Sequence, residues 1–471
     1  MSDAATLPLW TAFDIAAATD GTVEGAFAAS GVAFDSREVG PGDLFIALKG
    51  ETTDGHRFVD RAFEAGAAGA IVSEPVDHPH VRVADTQAAL DALGMAARAR
   101  TEAHVIGVTG SVGKTGTKEA LFAALDRSAP GFAHRSVKSY NNNTGVPLSL
   151  ARMPAATRYG IFEMGMNHAG ELSALTRLVR PHVAIVTAIA PAHSAFFASE
   201  EAIADAKGEI FEGLEPGGTA IIPFDNPHRE RLIAAARPYA GRILTFGRGE
   251  GADVRAREAV RGARGTLVSA ILPGAELTFT IGMAGDHWVS NALAVLAAVE
   301  TVGGDLAAAG LALADMAGLA GRGRRVEAAV GGGTALVIDE SYNANPASMA
   351  ATLKLLGEEK AERRIAVLGE MRELGEKSPV YHAALAGPMR EAGVDYALLI
   401  GPDMAALANE LEGRIDFAHV ADAAAALDLL DRAIRPGDAV LIKGSNAIGL
   451  ARLVEHYASP AGTGGNATCC I

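Results

Sequence analysis

An apolar run, His104 to Val108, leads straight into Thr109-Gly110-Ser111-Val112-Gly113-Lys114-Thr115, and the helix-forming stretch Thr115 to Leu125 follows at once. A strand that turns through a glycine-rich corner into a helix gathers backbone N–H groups and the positive end of the helix at one point, which suits a phosphate. Lys114 is then placed to reach β/γ-phosphates, and the Thr115 hydroxyl to take a magnesium ion. The spacing is tighter than in the common phosphate loop, because Gly110 stands three residues before Gly113 and Val108 occupies the position five before it. The loop is shortened without losing its mechanics.

The rest of the chain repeats the strand-then-helix pattern. Strands are expected at Tyr159 to Phe162, Val183 to Ile189 and Thr219 to Ile222, alternating with helices such as Glu200 to Glu212. That alternation argues for a largely parallel sheet covered on both faces. Ahead of it, the runs Leu44 to Leu48 and Ala70 to Ser73, with a helix at Val59 to Ala65 between them, read as a small α/β unit. Between about Gly251 and Ile281, short strands broken by Pro273-Gly274 suggest a hairpin-like appendage. Gly318 to Gly323 reads as a hinge, since glycine holds three of its six places. A third βα series follows at Ala335 to Ile338, Ile365 to Leu368, Tyr396 to Ile400 and Ala439 to Ile442. The expected fold is therefore α/β in three domains: a small N-terminal α/β domain (1–102), a central P-loop mononucleotide-binding parallel sheet (103–321) and a C-terminal Rossmann-like domain (322–458), then a flexible tail (459–471).

A chain of 471 residues is long enough for about three domains of ~150 residues. Its net charge of −15 disfavours a general grip on nucleic acid or anionic lipid, so an anionic ligand must be held locally. The first basic residue is Arg37, no apolar run approaches a membrane span, and the two cysteines are adjacent at Cys469 and Cys470. No export signal, membrane insertion or structural disulfide is expected, and the cytoplasm fits all three.

Three further residues are candidates, each a weak signal by itself. Glu163 follows the strand Tyr159 to Phe162, and in α/β sheets ligands gather at the carboxyl ends of strands. His193 ends Ile189-Ala190-Pro191-Ala192-His193, again just past a strand. Lys207 lies on a helix whose apolar positions 203, 206, 210 and 211 share a face, and its position alone would make it a surface lysine.

Together, the glycine-lysine loop, Asn141-Asn142-Asn143-Thr144-Gly145-Val146-Pro147, Glu163-Met-Gly, Pro191-Ala-His193 and Ala206-Lys207-Gly-Glu-Ile-Phe resemble the central domain of the Mur ligases, which build the peptide of bacterial cell-wall precursors. The resemblance extends over nearly the whole chain. It implies an ATP-dependent amide ligase with magnesium, in which Lys207 is carbamylated. A carbamate on a long arm is a hard oxygen ligand suited to that ion. Thr115 and Glu163 would hold one ion with ATP, while His193 and the Lys207 carbamate attend another. Residues Thr109 to Thr115 would bind ATP with Asn291, Arg322, Asp339 and Asn343; Arg324 or Arg325 could stand in for Arg322. Catalysis would rest on Lys114, Lys207, His193 and Glu163.

The same resemblance implies which member is closest in chemistry. Asp339-Glu340-Ser341-Tyr342-Asn343-Ala344-Asn345-Pro346 and Leu368-Gly369-Glu370-Met371-Arg372-Glu373-Leu374-Gly375 are similar to segments of the ligase that adds D-alanyl-D-alanine to UDP-N-acetylmuramoyl-tripeptide. Ser36, Arg37 and Thr52 would contact the UDP-precursor, and Asn142, Thr144, Lys443 and Ser445 are further substrate contacts. Relatives often carry an arginine where this chain has Asn446. A monomer is expected. Two alternatives stay open: another Mur-type ligase, adding a diamino acid to the UDP-dipeptide or glutamate to a folate, and a protein that uses the loop as a nucleotide switch.

Overall fold

A computed structural model describes residues 8–50, 53–190, 197, 199–262, 265–316 and 318–458. The candidate residues Thr52 and His193 and the tail 459–471 lie outside the described residues.

The central sheet is built on the strand His104–Thr109, whose side chains alternate between two cores. Ile106 and Val108 enter a cluster with the helix Asp286–Thr301, whereas Val105 enters the opposite one with Phe162 and Val186. This two-sided burial is why the strands read as continuous apolar runs. The sheet has nine strands in the order Glu276–Ile281, Gly265–Ile271, Val254–Gly262, Arg242–Gly247, Thr219–Pro223, Val183–Val186, His104–Thr109, Tyr159–Glu163 and Ala133–Arg135. Seven of these, from Val254–Gly262 onward, are mutually parallel. The expected appendage is instead part of this sheet. Phe246 pairs with Val254 in parallel, and the last two strands continue the ladder antiparallel, with Val268, Ala270, Phe279 and Ile281 turned into the same core. The helix at 200 also ends sooner than expected: Glu200–Gly208 is α-helical, and Glu209–Gly213 tightens into a 3-10 turn.

The N-terminal sheet has five strands in the order Thr22–Glu24, His80–Arg82, Gly69–Val72, Asp43–Ile46 and Gly31–Ala33. Its helix Thr86–Ala99 buries Leu90, Leu93 and Ala97. Buried Arg98 ties that helix to the central unit, donating from Nε to Val179 O at 2.9 Å and from Nη2 to Arg180 O at 2.8 Å.

The third sheet runs Arg324–Val330, Gly333–Glu340, Asp438–Lys443, Arg363–Gly369, Tyr396–Ile400 and Asp416–Val420. Its first pair is an antiparallel hairpin and the rest are parallel. Separate cores on its two faces, around Leu353 and Leu368 and around Val367 and Leu430, make it a second three-layer unit. Among the described residues no helix is long and apolar enough to cross a membrane.

Candidate active site

The parallel register fixes where the loop and the carboxylate meet. Glu163 stands beside Val108 and Val186 beside Thr109, so three strands end together under the glycine-rich turn. Gly110 has φ +149°, and a Cβ there would lie 1.9 Å from Thr187 Oγ1. Gly113, at φ +86°, caps the helix Lys114–Ser128, and a Cβ there would lie 2.9 Å from Asn291 Oδ1. Only glycine keeps both the backbone conformation and this approach. The turn is locked from behind by Ser111 N–H donating to Ala188 O at 2.8 Å and by Thr187 Oγ1 donating to Val112 O at 2.5 Å.

At the helix start, Thr115 Oγ1 donates to Glu163 Oε2 at 2.8 Å, and Asn141 Nδ2 donates to Glu163 Oε1 at 2.8 Å. Glu163 is 1% exposed. Beneath it, fully buried Lys118 donates to the carbonyls of Ser136 and Lys138, and its Nζ lies 3.0 Å from Glu119 and 4.0 Å from Glu163. Lys114 Nζ donates to Gly110 O at 2.6 Å. Burial lowers its pKa, with Glu163 opposing and Arg322 assisting the shift. Lys207 is fully buried, and among the described residues its Nζ has no hydrogen-bond partner. Burial, and then the charge on Lys114, push its pKa well below the ordinary lysine value. Its sequence position would make Lys207 a surface lysine, but the fold buries it completely.

The loop residues Ser111 to Thr115, with Asn141 and Glu163, open onto a cleft of about 850 Å³ shared with the third sheet, whereas Lys118 and Lys207 lie buried behind that lining. From the far side come Arg322, whose guanidinium carbon lies 4.5 Å from the Tyr342 ring centroid, and Lys443, which donates to Asn343 O at 2.9 Å and pairs with Glu340 at 3.4 Å. Glu340 and Lys443 are register partners at the carboxyl ends of adjacent parallel strands.

Three family models match this architecture: the Mur ligase family catalytic domain at residues 29–112, the Mur ligase middle domain at 108–299 and the Mur ligase glutamate ligase domain at 321–446. The chain belongs to the Mur ligase family. Among curated relatives, it is 34% identical to the UDP-N-acetylmuramoyl-tripeptide–D-alanyl-D-alanine ligase of Synechocystis over 90% of each chain. It is 33% identical to that of Escherichia coli over 90% of this chain and 92% of the other. Among solved structures, MurF from Acinetobacter baumannii superposes with a TM-score of 0.82 at 31% identity, covering 95% of this chain and 98% of that one. MurF from Thermotoga maritima in complex with ADP gives 0.74 at 26% identity, covering 91% and 97%.

In this Mur ligase the cleft is lined by Ser111 to Thr115, Glu163, Asn291, Arg322, Asn343, Lys443 and Ser445. Other candidate residues stand elsewhere. Asp339, expected as an ATP contact, is missing from the lining, and its carboxylate is engaged inside the protein. It accepts from Gly321 N–H at 2.7 Å and from Ser341 Oγ at 2.7 Å, and so pins the glycine hinge. Asn142 accepts from Gly145 N–H at 2.9 Å at the start of the helix Gly145–Ala151, and Thr144 bonds Gln87 of the N-terminal unit. Arg37 is exposed and forms a two-pronged pair with Asp35, which holds that carboxyl down at about 2. Ser36, beside it, is buried.

Asn141, Lys118, Thr187 and Trp288 are functional neighbours that sequence reasoning passed over. Asn141 lies inside the quoted asparagine run. Lys118 had a faint signal, being one helical turn from Lys114, but only the fold brings it under Glu163. Trp288 fills the space over Gly116, where an added Cβ would come within 2.7 Å of the indole.

Proposed function

We propose that this chain is the ATP-dependent ligase that joins D-alanyl-D-alanine to UDP-N-acetylmuramoyl-tripeptide in peptidoglycan precursor synthesis. The observation that carries the reading is the meeting of Lys114, Thr115 and Glu163 at one end of a cleft whose other wall brings Arg322 and Lys443. Relatives matched over nine-tenths of the chain bear the name of that ligase. The N-terminal unit with Ser36 and Arg37 is assigned to the UDP-precursor, the central one to ATP and the third to the dipeptide. A monomeric enzyme in the cytoplasm, where UDP-precursors and ATP are made, belongs to the same reading.

The chemistry is demanding because a carboxylate is a poor electrophile and both it and ATP are anionic. The tripeptide carboxylate attacks the γ-phosphorus, the bond to ADP breaks, and an acyl phosphate forms. The neutral amine of the dipeptide then attacks the carbonyl, and orthophosphate leaves with the carbonyl's former acid oxygen. Lys114 and the loop N–H groups stabilise charge at the transferring group, which is the main task in phosphoryl transfer. Arg322, on the hinge, brings a further cation when the two walls approach, and closure keeps water from the acyl phosphate.

The residues present fit magnesium. Glu163 and Thr115 offer hard oxygens at the phosphate loop, and a site with a single carboxylate suits an ion that keeps water and phosphate ligands. Magnesium held there supplies positive charge to the phosphate oxygens. Lys207, buried, without a hydrogen-bond partner among the described residues and biased to the neutral amine, is fit to add carbon dioxide as a carbamate, releasing one proton; the family resemblance assigns His193 to the same ion.

The test is ADP release with UDP-tripeptide plus D-alanyl-D-alanine, against UDP-dipeptide plus a diamino acid and folate plus glutamate. Release in the first mixture alone is expected. Release in another mixture, or hydrolysis indifferent to every precursor, would contradict the reading.

A further inference from the structure

An incoming dipeptide whose amine is neutral for attack carries one remaining charge, its terminal carboxylate. Recognition of that end needs a cation at the cleft but away from the phosphates. Among the described residues, four lysine or arginine side chains line the cleft: Lys114, Arg322, Arg372 and Lys443. Lys114 belongs to the phosphate loop, where it donates to Gly110 O at 2.6 Å, and Arg322 lies over the Tyr342 ring at the hinge. Lys443 is 2% exposed and already engaged by Glu340 and by Asn343 O. Asn446, following Ser445, brings no charge.

Arg372 is built differently. Its side chain lines the cleft and is 57% exposed to solvent, while its Nη2 lies 2.9 Å from Oε2 of Glu370, a carboxylate only 1% exposed. Glu370 is itself fixed, accepting from Asp403 N–H at 2.8 Å through Oε1. The backbone is fixed as well. Arg372 N–H donates to Ser445 Oγ at 2.9 Å, and Ser445 N–H donates to Glu370 O at 3.0 Å. Met371 N–H donates to Nε2 of fully buried His382 at 2.9 Å, so that ring carries its proton on Nδ1, which donates to Ser378 O at 2.8 Å. A planar guanidinium ion-paired through one nitrogen still presents N–H groups on its free edges, in the geometry that receives a carboxylate.

We propose that Arg372, held by Glu370 and Ser445, is the residue that binds the terminal carboxylate of the incoming dipeptide and sets the preference for a free acid there. This rests on the ligase reading above. The experiment compares D-alanyl-D-alanine with its C-terminal amide as acceptors, in the native enzyme and in Arg372→Gln and Arg372→Lys. A charged hydrogen-bond pair of this kind corresponds to roughly a tenfold to hundredfold preference. The native enzyme should prefer the acid by about that factor in kcat/KM, and Arg372→Gln should bring the preference close to one by raising the KM for the acid. Arg372→Lys should recover part of it, with KM for ATP and thermal unfolding unchanged in both. An unchanged preference in Arg372→Gln overturns the assignment, and so does an equal loss with both acceptors. No dipeptide-dependent ADP release from the native enzyme would contradict the ligase reading itself, and the assignment with it.

Discussion

Thr115 and Glu163 come from different elements and meet through one hydrogen bond: the Thr115 hydroxyl donates to Glu163 Oε2 at 2.8 Å. The bond joins the first turn of the phosphate-loop helix to the carboxyl end of the neighbouring strand. It places a hydroxyl and a carboxylate side by side without a buried cation in hydrogen-bonding range, since Lys118 stops at 4.0 Å. Replacing Glu163 by Gln keeps the shape but removes the charge. ADP formation should fall on the order of a hundredfold or more, with a raised magnesium requirement and little change in thermal unfolding. A variant that keeps full activity at low magnesium would remove Glu163 from the ion's site.

In the proposed mechanism Lys114 serves the phosphoryl step, while the UDP-precursor is assigned to the N-terminal unit. Lys114→Ala should abolish ADP formation while binding of UDP-precursor, measured calorimetrically, survives. Loss of both together would indicate a folding defect.

Lys207 predicts two opposite effects. A fully buried amine without a hydrogen-bond partner among the described residues costs stability, so Lys207→Met should unfold at a higher temperature than the native protein. Activity should be lost in Lys207→Ala and return in part with added formate or acetate, which can replace a carbamate. An unimpaired Lys207→Ala enzyme would take the lysine out of the mechanism.

Histidine burial gives a pH dependence of known sign. His134 donates to Ser149 O at 2.7 Å, and burial lowers its pKa from 6.5 to about 4. Between those values the unfolded chain binds the proton and the folded one does not, so stability rises with pH across that window and is lost as pH falls through it. The contribution is up to about 3 kcal/mol. His134→Gln keeps a donor for Ser149 O and should flatten that acid limb in denaturant titrations. An unchanged slope would show that His134 already carries its proton when folded.

Much of this arrangement is legible in the sequence, and the limits have physical causes. The strand at 104 and its loop are readable because two-sided burial makes a run apolar and because glycine is required where the turn is tight. Strand 254 is not, since its partner Phe246 is chosen by the sheet and leaves no local sign, so three strands look like an appendage. Asp339 suits a ribose by residue type alone, but the fold commits its oxygens to the hinge. Asn141 and Lys118 gain meaning only when Glu163 arrives from a separate strand.

The acyl phosphate can be tested directly by labelling the tripeptide carboxylate with oxygen-18 and following one turnover with D-alanyl-D-alanine. One labelled oxygen should appear in the orthophosphate released. Orthophosphate free of label, with amide product formed, would contradict activation of the acid at Lys114, Thr115 and Glu163.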